Sequence, residues 1–140
     1  MKLIIDRKTW LRGEGHKKSF LVRESDGKQC CLGFLAQACG FSKEELTKKR
    51  SVLSLFIVPV AENTYSVCNS VDPIKRERIK PTVLEKLVCD CDSKSSFNNA
   101  IGSDLMDVND DPKLSDYERE TKLTELFATV GVEVEFRGQP

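Results

Sequence analysis

At 140 residues, 39% of them hydrophobic, the chain has enough apolar material for one modest core and too little for two, so a single domain over 1–140 is expected. Charged residues make up 31% and glycine and proline are few, which excludes a disordered or low-complexity chain. The 22 basic and 22 acidic side chains cancel, which argues against general nucleic-acid binding. However, residues 1–80 carry 16 basic and 9 acidic groups (net +7) while 81–140 carry 6 and 13 (net −7), so the halves are oppositely charged.

Lys2–Ile5 reads as a short strand, whose apolar run ends at Asp6, Arg7 and Lys8. That run is far too short for a secretion signal or a membrane span, so a cytoplasmic protein with no membrane partner is expected. Trp10 and Leu11 lead into Arg12-Gly13-Glu14-Gly15, where two glycines around a carboxylate imply a turn with unusual backbone angles. Ser19–Arg23 reads as a second strand closed by the turn Ser25-Asp26-Gly27.

From about Lys28 a helix is expected, apolar nearly all round and therefore buried, ending at Gly40. Ser42 with Glu45 forms a capping box for a short helix to about Lys49. Val52–Val60 is β-rich and is expected to pair with Tyr65–Cys68 as a hairpin. Asp72–Lys80 reads as a charged connection, followed by helices over Thr82–Cys91 and Phe97–Asp107.

A second capping box, Ser115 with Glu118, opens a helix with Leu123, Leu126, Phe127 and Val130 on one face and Gly131 as its stop. Val132–Phe136 then alternates as a terminal strand. The expected fold class is α+β, a small, mostly antiparallel sheet packed against several short helices, among them those at Cys30 and Ser115.

Four words stand out: Trp10-Leu11-Arg12-Gly13-Glu14-Gly15; Asp26-Gly27-Lys28-Gln29-Cys30-Cys31-Leu32-Gly33-Phe34; Leu105-Met106 with Asn109-Asp110; and Gly131-Val132-Glu133-Val134-Glu135-Phe136. Together they resemble a family of small proteins encoded by tailed phages and prophages, over roughly residues 1–40 and 104–136. The family carries no assigned activity, so the resemblance implies a setting, the cytoplasm of a bacterial host, rather than a reaction. It also implies an accessory protein that binds a host macromolecule and interferes with it, as a host-takeover or anti-defence inhibitor. The acidic half would be a natural face for a basic host protein.

The six cysteines, at 30, 31, 39, 68, 89 and 91, lack the regular spacing of a disulfide framework and are expected to be reduced thiols filling space as small hydrophobes. Cys30 and Cys31 lie near an expected helix N-terminus, where a thiolate is favoured. A cysteine hydrolase would then use the single histidine, His16, as base, with Glu14 or Asp26 to orient it. Cys89 and Cys91, with Cys68, lack the paired knuckles of structural zinc, so no metal is expected.

Asp107–Glu118 matches the oxygen pattern of an EF-hand calcium loop except at the sixth place, where Pro112 stands instead of glycine. It is therefore expected to be a turn whose Asn and Asp side chains bond local backbone. The loop cations Arg12, His16, Lys17 and Lys18, with Arg23 and Lys28, are expected as an alternative site for an anionic nucleotide. The binding residues expected from sequence are thus Arg12, Glu14, His16, Lys17, Arg23, Lys28, Asn109 and Asp110, with no catalytic set and no cofactor.

Overall fold

A computed structural model describes residues 1–50, 57–61, 64–71 and 100–139; for 57–61, 64–71 and residue 100 only the backbone course is described. Strand β1 (Lys2–Asp6) is followed by a single 3-10 turn at His16–Lys18, helix α1 (Cys31–Ala38) and the short helix α2 (Lys43–Leu46). Strands β2 (Ile57–Ala61) and β3 (Thr64–Val71), helices α3 (Ala100–Asp110) and α4 (Asp116–Ala128), and strand β4 (Glu133–Arg137) complete the order of described elements. The expected helix over Thr82–Cys91 lies outside the described residues.

The sheet corrects the expectation of a mostly antiparallel arrangement. β1 pairs with β4 in parallel, in the register Lys2↔Glu133 through Asp6↔Arg137. Alternating hydrophobicity determines which face of a strand is buried and says nothing about its direction; a parallel pair only requires a connection that returns the chain to the starting end. Here that is α4, which releases the chain at Gly131 (φ +77°) beside the N-terminus. The Glu133 amide donates to Met1 O at 2.8 Å, and the terminal amine lies 3.4 Å from Gly131 O. β2 and β3 pair antiparallel, as the hairpin reading of that segment expects.

The expected second strand, Ser19–Arg23, does not form. Its backbone groups are divided between two segments: Phe20 O accepts from Cys30 and Arg23 N donates to Lys28 O, while Leu21 N donates to Lys49 O. Only an isolated bridge, Val22 to Thr47, results. The same demands trim the helices. Gln29 exchanges backbone bonds with Thr9 and Leu11, which delays α1 to Cys31, and Lys48 donates to Val22 O with φ +69°, which ends α2 early.

Both capping boxes are present, with the Glu45 and Glu118 amides donating to Ser42 Oγ and Ser115 Oγ at 3.2 Å. The core is built by Leu3 and Ile5 of β1, Trp10, Leu21, Leu32 and Leu35 of α1, Leu46, Leu105 of α3, and Leu123 and Phe127 of α4. Trp10 stacks obliquely on Phe136, with ring centroids 5.0 Å apart. α1 sits so close to the Leu21 segment that a Cβ on Gly33 would lie 1.9 Å from Leu21 O, so only glycine fits.

Candidate functional site

The loop 12–18 and the C-terminal turn of α3 are sewn together by their backbones, Gly13 N donating to Asn109 O and Gly15 N to Asp110 O, both at 2.9 Å. Gly13 (φ +68°) also leaves room for the Arg119 guanidinium, which would stand 2.9 Å from a Cβ there.

Asn109 is fully buried and uses both ends of its amide. Its Oδ1 accepts from Trp10 Nε1 at 2.8 Å and from the Cys31 amide at 3.1 Å. Its Nδ2 donates to Leu11 O at 3.0 Å and to Asp110 Oδ1 at 2.8 Å. Helix α1 has no cap from its own N-cap side chain, so Asn109 caps it from 78 residues away. The sequence expectation of local backbone bonding therefore fails for Asn109. It holds for Asp111, whose Oδ1 accepts from Lys113 N at 2.9 Å.

Asp110 is 3% exposed, and a carboxylate buried to that degree needs partners. Besides Asn109 it has His16, whose Nδ1 lies 2.8 Å from Asp110 Oδ2. The same ring places Nε2 3.3 Å from Asp107 Oδ1 at the surface, so the imidazole bridges a buried and an exposed carboxylate of α3. With Asp107 and Asn109 on helix α3 itself, the calcium-loop geometry is absent. Among the described residues no group of His, Cys, Asp and Glu side chains converges to hold a metal ion.

The cations expected to cradle an anion are mostly spent. Arg12 forks onto Asp116 at 3.0 Å through both Nε and Nη2, donates to the Arg7 and Trp10 carbonyls, and lies 4.6 Å over the Trp10 ring. Arg23 pairs with Asp26 at 2.5 Å and with Glu14 at 3.3 Å. Its hydrogen bonds hold the Asp26 carboxyl down at about 2, while Asp26 also accepts from the Lys28 amide. Lys17 is exposed and Lys28 half-buried, and neither ammonium forms an ion pair with a described residue. Arg12 and Arg23 thus hold separate carboxylates rather than one open site.

Cys30 and Cys31 are buried among core side chains, 2% and 0% exposed, as the filler reading expects. Burial pushes the Cys30 thiol up to about 12 and Cys31 well above the ordinary value, so at the head of α1 desolvation outweighs the helix dipole. Neither sulfur is placed to attack a substrate. Cys68 lies on β3 with only its backbone described, and Cys89 and Cys91 lie outside the described residues.

Sequence reasoning missed two features. One is Arg119, 3% exposed, which donates to Val108 O, Asp111 O and Leu114 O and pairs with Asp116 at 2.8 Å, locking the α3–α4 turn. The other is a cleft of about 390 Å³ between α3 and α4, lined by Asp104, Asp107, Val108, Lys122, Glu125, Leu126 and Thr129. Its walls recur at i, i+3, i+4 on α3 and again on α4, with Thr129 at i+7 capping the end of α4, a helical period that a search for outward-facing stripes would have detected. Asp107 belongs both to this cleft and to the His16 bridge.

Among the described residues no helix is long and apolar enough to cross a membrane. Comparison with protein-family models, with curated protein sequences and with solved structures finds no match to this chain.

Proposed function

We propose that this chain is a phage- or prophage-encoded accessory protein that works by binding a macromolecule of the bacterial host, in the host cytoplasm, and interfering with it. The observation that carries a binding role is the α3–α4 cleft, an open, mostly apolar surface built on two helices that the hydrogen bonds of Arg119 and Asn109 tie in place. The thiols are buried and Arg12 and Arg23 are paired, so neither supports hydrolysis or nucleotide capture as well. The phage setting rests on the resemblance of the Trp10, Cys30, Asn109 and Gly131 words.

The test is capture from bacterial lysate with the full chain and with a Val108→Lys/Leu126→Lys variant as paired baits, followed by reconstitution of any differential prey from purified components. The reading predicts a host protein that binds the wild-type chain directly and loses at least tenfold in affinity with the variant. A prey set identical for both baits overturns the role of the cleft. Thermal stabilisation by a nucleotide, with no protein prey, overturns the protein-binding reading in favour of a sequestering one.

A further inference from the structure

We infer that the occupant of the α3–α4 cleft is a cationic amphipathic helix presented by a partner protein; this rests on the binding role proposed above and specifies its chemistry. The floor consists of Val108 and Leu126, apolar side chains packed against the core yet left partly exposed. The rim consists of Asp104, Asp107 and Glu125 against Lys122, three carboxylates to one ammonium, a net of −2. The charge extends beyond the rim: residues 101–130 hold eight acidic and three basic side chains, and after Arg7 and Arg12 neutralise Glu120 and Asp116 a net of −3 remains. A cation-bearing ligand is therefore drawn in by the field of the whole α3–α4 layer, and an anionic one is repelled.

The shape selects a helix. Both walls are helix faces whose lining residues repeat at three and four positions, so the cleft is a groove between two ridges. A third helix fills such a groove by laying its own ridge into it, with apolar anchors at i, i+3 or i+4 and i+7 on the floor and Lys or Arg flanking them at the rim. A strand would leave its backbone groups facing side chains rather than a sheet edge, since both walls have their amides and carbonyls bonded within the helices.

The test uses the full chain and a fluorescent Leu/Lys amphipathic peptide of about 18 residues, long enough for several helical turns. Controls are a scrambled peptide of the same composition, a Leu/Glu counterpart of the same pattern, and anionic vesicles. The expected results are saturable micromolar binding of the Leu/Lys peptide with a gain in helicity, and at least tenfold weaker binding of the scrambled and Leu/Glu peptides. Leu126→Asp, which keeps the acidic field and removes the floor, should lose at least tenfold; Asp104→Lys/Glu125→Lys should lose a similar factor and flatten the salt dependence. Circular dichroism confirms that each variant folds, and both substitutions fall on solvent-facing or half-buried positions.

Equal binding of the scrambled peptide, preference for the Leu/Glu peptide, binding of vesicles alone, or no binding overturns the inference. So does a concentration-dependent dimer that Leu126→Asp dissociates, which would make the occupant a second copy. A host prey that depends on the cleft but is not displaced by the Leu/Lys peptide would leave the binding role standing and remove the cationic helix.

Discussion

The indole Nε1 of Trp10 donates to Oδ1 of Asn109 at 2.8 Å, joining two residues 99 positions apart in the buried centre of the molecule. Because the same oxygen accepts the Cys31 amide, one side chain closes the N-terminus of α1, fixes the tryptophan and ties α3 to both. Asn109→Ala would leave the Trp10 N–H, the Cys31 N–H and the Leu11 carbonyl without their partner. At about 1–3 kcal/mol for a buried unsatisfied group, relaxed in part by water, a loss of about 3–5 kcal/mol is expected. Urea unfolding followed by fluorescence of the single tryptophan measures it, and a loss under 1 kcal/mol would show the network to be dispensable.

Gly33 and Gly27 make an internal contrast. A Cβ at Gly33 meets the Leu21 carbonyl at 1.9 Å, a backbone contact that no rotamer relieves. Gly27 has φ +72° and open space around it. Gly33→Ala is expected to destabilise by more than about 3 kcal/mol through displacement of α1, and Gly27→Ala by about 1 kcal/mol from its backbone conformation alone. Equal midpoints in a thermal melt of the two variants would contradict the close approach of α1.

What the sequence made legible was local. The boxes Ser42/Glu45 and Ser115/Glu118, the stop at Gly131 and the turn at Asp26-Gly27 all depend on residues within a few positions of each other. Asn109, Asp110 and His16 were recognisable as notable side chains, but their meeting was not, because it is set by how α3 docks 94 residues away from the loop. The direction of β4 and the pairing of Arg12 with Asp116 are hidden for the same reason: each depends on where a connection delivers the chain. Charge counting suggested an anion cradle, since it registers cations without seeing the carboxylates that neutralise them.

The thiols give a third prediction. In the native state Cys30 and Cys31 are shielded and held protonated by burial, so iodoacetamide should label them only through unfolding. Their labelling rate is expected to rise with urea in step with the unfolded fraction, read by peptide mass spectrometry. Burial pushes the folded thiol of Cys30 up from its ordinary 9.0 to about 12, so its contribution to stability is complete below about 9 and is lost as pH rises towards 12. Rapid native labelling of either thiol at neutral pH would reopen the nucleophile reading.

A fourth prediction concerns acid. Arg23 holds the Asp26 carboxyl down at about 2 in the folded chain, against an ordinary value of 3.8. A lowered folded value means that the contribution is present above about 3.8 and is lost as pH falls towards 2. The Asp26 side chain is 35% exposed, so solvent screening leaves only a fraction of the shift as stability. Asp116, lowered by Arg12, and Glu135, lowered by Arg137, add to the same acid slope and persist when Asp26 is replaced. The informative quantity is therefore the difference in unfolding free energy between the wild-type chain and Asp26→Asn. It should be constant from pH 7 to 5, shrink between 4 and 2, and diminish in 0.5 M salt. A difference near zero at every pH would mean that Asp26 acts only through its hydrogen bond to the Lys28 amide, which an asparagine oxygen also accepts.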